Sequence, residues 1–185
     1  TVNCCNFLLF VTFCYTYFRV ISFFFLDIEL SKLVTSGSRR GIKTKGTIVA
    51  IRSDSGIIQR CPECRRILRE SACLDHGPQQ GVEDLRLKFV VDNGIHNASL
   101  ILGKEPSEKL LGNTQEAVKE IISKTSQGDF LTEVRNNYLA RKVTIHGRSL
   151  VDAQGAMILA EGVTFDDTSN ETAANLVMEE WGVLL

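Results

Sequence analysis

Apolar and polar positions alternate most cleanly over residues 84–92. Leu85, Leu87, Phe89 and Val91 share one parity, and Arg86, Lys88, Val90 and Asp92 the other. A period of two sends successive side chains to opposite faces, so the run predicts a strand with a buried and an exposed side. Asp92-Asn93-Gly94 follows, then residues 97–103, which predicts a hairpin. Upstream, residues 43–52 (KTKGTIVAIR) form a β-rich run that stops at Ser53-Asp54-Ser55-Gly56 and resumes over residues 57–60. Downstream, Ser107 is expected to cap a helix with Glu108 in its first turn. Leu110, Leu111, Ala117, Val118, Ile121 and Ile122 keep a helical period to Lys124, with Gly112-Asn113 as a break. A second short helix is expected over residues 130–140, capped by Asp129. Residues 142–151 and 157–165 read as a closing hairpin, and residues 170–185 as a helical tail around Leu176, Val177 and Trp181.

The order is strand, insert, strand, strand, helix, strand, strand. It predicts a mainly β fold, a five-stranded OB barrel with the insert after its first strand and a helix between strands 3 and 4. There is no internal repeat, and the strands are too few for a propeller or an immunoglobulin-type sandwich. Three segments are expected: residues 1–38, a hydrophobic run with a polar linker at residues 36–41; residues 39–168, the barrel with its insert at residues 61–77; and residues 169–185, the tail.

The first segment differs from the rest. Nine of the thirteen Phe and Tyr residues fall between Phe7 and Phe25, and residues 7–26 carry one charge, Arg19. A helical span needs about 20 apolar residues, so the length suffices. Arg19 beyond mid-span would cost about 2.5–3.5 kcal/mol. No basic cluster flanks the run, and it has neither a basic leader nor a small-residue cleavage site. The chain starts at Thr1. Three readings stand: a fragment or sequence foreign to the native protein, a membrane segment, or a buried core element. Cys4, Cys5 and Cys14 lack ligand spacing and read as apolar filler.

Composition changes the picture only when divided. The whole chain has 185 residues, a net charge of −1, 44% hydrophobic and 23% charged residues, which is the usage of a globular protein. Residues 39–88 hold eleven Lys or Arg against six Asp or Glu, a net +5; residues 89–185 hold eight against fourteen, a net −6. A basic middle and an acidic rear point to a polyanion-facing side.

The specific motif lies in that basic middle. Cys61, Cys64, Cys73 and His76 read C-x2-C-x8-C-x2-H. Each pair is spaced to bend in a tight turn and put two ligand atoms on one ion. Four protein ligands leave no position for a water, so a Zn²⁺ held here would be structural and not catalytic. A nonlocal disulfide and a Cys61/Cys64 redox pair are the competing uses; the redox pair lacks its βαβ context. Arg60, Arg65, Arg66 and Arg69 surround these ligands, and guanidinium groups make bidentate contacts to phosphate. A solvated face is the plainer reading of the four alone. With Arg86 and Lys88 on the exposed side of the best strand, and Lys43, Lys45 and Arg52 on the strand beside it, they suggest a groove for a nucleic-acid backbone.

The stretch GIIQRCPECRRILRESACLDHG, followed by DLRLKFVVDNG and the helix ILGKEPSEKLLG, resembles the replication protein A single-stranded DNA-binding proteins. The likeness is to the archaeal type, and more distantly to the C-terminal domain of the eukaryotic large subunit. It covers residues 43–165. It implies an OB-fold with a zinc element inserted after the first strand, ligated by Cys61, Cys64, Cys73 and His76. It also implies sequence-tolerant binding of single-stranded DNA in replication, repair and recombination, with other OB-fold subunits or replication and repair proteins as partners. The implied location is cytoplasmic and nucleoid-associated, or nuclear in a eukaryote. Two features depart from the pattern: the family often carries several OB-folds, and residues 1–30 have no counterpart in it.

Beyond the first segment the aromatic side chains are Phe89, Phe130, Tyr138, Phe165 and Trp181. Phe89 shares the parity of Leu85 and Leu87 and is expected in the core, so binding is expected to rest on phosphates more than on base stacking. His96 and His146 lack ligand spacing, and Asp166-Asp167 reads as a solvated turn. No P-loop, G-x-G-x-x-G, G-x-S-x-G, H-E-x-x-H or H-x-E deaminase signature is present, so a non-enzymatic module is expected. The alternatives are a membrane-anchored zinc-ribbon adaptor, resting on residues 7–26, and an accessory zinc/OB module of a nucleic-acid enzyme.

Overall fold

The computed structural model describes residues 25–153 and 155–166, with Asn175, Met178, Glu179 and Gly182 of the tail. The hydrophobic run at residues 7–24 and most of the expected tail helix, Trp181 included, lie outside the described residues. Among the described residues no helix is long and apolar enough to cross a membrane.

The chain enters through a two-residue strand, β1 (Leu26–Asp27), a 3-10 turn (Leu30–Lys32) and a short helix, α1 (Leu33–Ser36). Then come β2 (Arg39–Ile51) and β3 (Gly56–Arg60), followed by the insert with β4 (Ala72–Cys73) and β5 (Gly77–Pro78). A hairpin of β6 (Val82–Asp92) and β7 (Asn97–Leu102) follows. Three helices come next: α2 (Lys104–Leu111), α3 (Gln115–Lys124) and α4 (Gln127–Tyr138). The hairpin of β8 (Lys142–Asp152) and β9 (Gly155–Phe165) ends the described body.

The fold is mainly β, and its sheet closes on itself. β6 pairs with β7, β7 runs parallel to β9, and β9 pairs with β8. β2 completes the ring because it has two partners: its first part pairs with β8 down to Thr47, and its last part pairs with β6 from Thr47 onward. A register shift between Ile48 and Ala50 follows this change of partner, within the pairing with β6. The crossing is tight. A Cβ at Gly46 would stand 3.2 Å from the Asp92 carbonyl oxygen. On the opposite side β8 bends at Gly147, where an added Cβ would fall 2.2 Å from the Leu159 carbonyl oxygen.

The interior follows the alternation read from the sequence. Leu85, Leu87, Phe89 and Val91 are fully buried, with Leu100 and Leu102 from β7, Ile145 from β8 and Ile158 from β9. Phe89 is therefore core, as its parity required.

Four local expectations are corrected. The expected linker at residues 36–41 is folded: Arg39–Gly41 already belong to β2, and Ser38 Oγ accepts from the Val151 amide. The residues before it are also structural, since Ile28, Leu30 and Leu33 join the main core. The first helix starts at Lys104, ahead of Ser107. Ser107 turns inward and donates to the Leu102 carbonyl, and Pro106 is tolerated in the first turn, where an amide would lack a partner anyway. The last helix is capped by Ser126, whose hydroxyl accepts from the Asp129 amide and donates to the Asp129 carboxylate, so Asp129 serves the cap from inside. Arg86, expected exposed, is 6% accessible. Its face of β6 is covered by the turn after β2, held down where Ser55 Oγ and the Lys88 backbone bond reciprocally and where Gln127 donates to the Ser55 carbonyl.

Candidate metal centre and basic cleft

The insert hangs from two strands in register, with Arg60 of β3 opposite Val82 of β6. Within it, the Cys61 amide donates to the Arg66 carbonyl and the Arg65 amide to the Cys61 carbonyl, which wraps residues 61–66 into a tight turn. Arg65 has a left-handed φ of 62°. The second pair is turned the same way: Gly77, directly after His76, has φ 68°. Each C-x2-C or C-x2-H pair is thus followed directly by a left-handed residue, which folds the chain back beside the ligands.

The four ligand atoms lie within 4.8 Å of one another. Cys64 Sγ is 3.5 Å from Cys73 Sγ, and His76 Nδ1 is 3.5 Å from Cys73 Sγ and 3.6 Å from Cys61 Sγ. Tetrahedral metal–sulfur bonds of about 2.3 Å give ligand edges of about 3.8 Å, so the cluster has the size of a single ion's coordination shell. The three cysteines are free, and no disulfide links them. Cys61, Leu68 and Cys73, with Cys64 against them, make the whole apolar centre of the insert. So small a core does not hold a loop of this length by itself, and the four residues fit a metal ion that would.

The electrostatics differ from one ligand to the next, and at Cys73 they favour the thiolate. Amide hydrogen bonds from Asp75, then from His76 together with its ring, hold the Cys73 thiol down at about 6. At Cys64 the Arg66 amide pulls down, but desolvation and the neighbouring thiols of Cys73 and Cys61 outweigh it and the net shift is upward. His76 is pushed up by its contacts with the Cys73 and Cys61 sulfurs. On the far side of the ring, His76 Nε2 stands 3.3 Å from Glu63 Oε2, a contact with no signal in the spacing of the motif.

Beside the centre a cleft of about 910 Å³ opens between the insert and the ring. Arg60, Arg65, Arg66, Arg69 and Arg86 line it, with Ile58, Ile67, Leu74 and Gln127, and Asp54 is its one acid. Three of the arginines are paired: Arg60 with Asp84, Arg66 with Asp75 at 2.5 Å, and Arg86 with Asp54 at 2.8 Å. Arg65 and Arg69 have no carboxylate partner among the described residues. The buried Arg86 spends one nitrogen on Asp54, and its Nε has no partner.

The expected basic stripe is therefore divided. Lys88 reaches the rim only through Asp54, at 3.7 Å. Arg52 is exposed just past β2 and does not line the cleft. Lys45 lies in a separate hollow with Thr47, Asn93 and Lys142. Its companion Lys142 is the first residue of β8, which sequence order alone does not place beside Lys45. Among the described residues the aromatic side chains are buried or in ring contacts. Tyr138 stacks on Phe165 at 5.5 Å, and the Arg141 guanidinium sits 3.9 Å from the Phe165 ring centroid.

No protein-family model matches the chain, and no curated protein matches it. Solved structures do. A chain of a replication protein A heterotrimer bound to single-stranded DNA matches 87% of this chain with a TM-score of 0.55 at 12% identity. The match takes up 41% of that chain, so this protein spans about two fifths of its length. Yeast replication protein A bound to single-stranded DNA matches 77% of this chain and 85% of its own, with a TM-score of 0.45 at 14% identity. The first likeness establishes a shared fold.

Proposed function

We propose that this protein is a single-stranded DNA-binding module of the replication protein A type. In this reading its ring is an OB barrel and its insert a zinc element that needs the metal to fold. The observation that carries the reading is the cleft between insert and ring. Five guanidinium groups line it, and two of them, Arg65 and Arg69, have no carboxylate partner among the described residues. Such a wall suits phosphate groups, which accept the paired donors of arginine. The heterotrimer to which the fold-sharing chain belongs is bound to single-stranded DNA, and that property is carried to this chain by analogy of fold.

Zn²⁺ on Cys61, Cys64, Cys73 and His76 would pin the insert and so fix where Arg65, Arg66 and Arg69 stand. Arg60 comes from the ring and would meet the same strand from the other wall, while Arg86, buried and held by Asp54, would stiffen that wall. Because Phe165 is covered by Tyr138 and Arg141, grip would come from backbone phosphates, and preference for base sequence would be weak. The roles in replication, repair and recombination, other OB-fold subunits as partners, and a nucleoid or nuclear location belong to this proposal too.

The test is a fluorescence titration of the zinc-loaded full chain with oligo-dT and with a duplex of equal length, over a series of salt concentrations. Preference for the single strand is expected, with log affinity falling by about 0.7 per contacted phosphate for each unit of log salt. Equal affinity for both forms at low salt would end the reading.

A further inference from the structure

The contact behind the metal centre has a chemistry of its own. His76 turns Nδ1 toward the Cys61 and Cys73 sulfurs, which leaves Nε2 facing away. Nε2 does not meet open water alone: Glu63 Oε2 is 3.3 Å from it. Glu63 is held in turn. Gln79 Nε2 is 3.3 Å both from Glu63 Oε1 and from the His76 carbonyl oxygen, and the Gln79 backbone amide donates to the Ser71 carbonyl. The carboxylate between the two cysteines of the first pair is thus tied to the histidine of the second pair. The residue that ties it follows β5, at the exit of the insert.

An imidazole that ligates through one nitrogen carries its proton on the other, and an acceptor there fixes both tautomer and ring orientation while making the ligand more basic. We infer that Glu63 is a positioning residue for the metal: it accepts the Nε2–H of His76, commits Nδ1 to the ion, and is itself anchored by Gln79. The inference rests on the reading of the four ligands as a zinc site.

It is tested on the full chain by titrating bound Zn²⁺ away with a competing chelator. Glu63→Ala is expected to weaken Zn²⁺ binding about 10–100-fold. Glu70→Ala removes a like charge from the same insert without touching His76 and is expected to stay within about twofold of wild type. Glu63→Gln keeps an acceptor without the charge and is expected between wild type and Glu63→Ala. ¹⁵N-histidine spectra supply a readout that general destabilisation does not mimic: in the wild type the metal is on Nδ1 and the Nε2 proton exchanges slowly, whereas Glu63→Ala loses that slow proton. The inference is overturned if Glu63→Ala binds within about twofold of wild type, if Glu70→Ala loses as much, or if the metal sits on Nε2. Wild-type protein that binds no zinc would instead overturn the reading of the site itself.

Discussion

Single residues decide where this chain has no latitude. At Gly147 a methyl group would stand 2.2 Å from the Leu159 carbonyl oxygen, and that oxygen is backbone held in the β8–β9 ladder. Gly147→Ala is expected to cost about 2–4 kcal/mol in urea denaturation, while Ala at the open position Gly162 costs less than about 1 kcal/mol. The sequence offers Gly147 only as a glycine inside a strand pattern; its strict need depends on a partner strand whose register is not local. Cys73 contributes a pH dependence to metal binding. Its thiol sits at about 6 in the folded arrangement against an ordinary 9.0 in the unfolded chain, so this group favours the folded, metal-binding arrangement fully above about pH 9, less below it, and not at all once pH falls through about 6. Because zinc competes with the same protons, zinc retained through gel filtration is expected to be full at pH 8 and to drop below pH 6.

Among the elements, the insert with its four candidate ligands and the ring were unequally legible. Ligand spacing is a local property: Cys61 with Cys64 and Cys73 with His76 each close over two residues, and the structure brings all four together. The alternation of β6 is equally local, and its inner face is buried as read. Its outer face was misread at Arg86, because what covers it comes from Asp54 and the turn held by Gln127, 32 and 41 residues away in sequence. The basic cleft is a joint product of these elements. Replacing both Arg65 and Arg69 by Ala is expected to lower affinity for oligo-dT and for mixed-sequence single strands by the same factor and to flatten the salt slope by about 1.4, measured by fluorescence anisotropy. Chelating the metal is expected to release the insert while the ring stays folded. Histidine and arginine resonances of residues 60–77 would then collapse to random-coil positions while the far-ultraviolet β signal persists.

For the molecule as a whole, the entry segment matters more than its separation from the barrel in the sequence suggested. β1 pairs with β2 through Leu26 opposite Ile42, and Leu30 and Leu33 are buried at 1% and 0%. Cutting the chain at Arg39 removes these side chains together with Ile28. Truncation there is expected to lower the melting temperature sharply or to give an aggregating product. Leu33→Ala alone is expected to cost about 2–5 kcal/mol. Periodicity could not announce this, because the three buried residues are spread over a loop position (Ile28), a 3-10 turn and one helical turn, too short to show a period. The ring carries a consequence of another kind. β2 is bonded on one side to β8 and on the other to β6, with Thr47 shared between them. Prying either seam apart disturbs the other within a few residues, so the closure cannot fray piecemeal. The amides flanking Thr47 should therefore surrender their protons to deuterium only when the entire body comes undone, which makes them the clock by which its global opening is read.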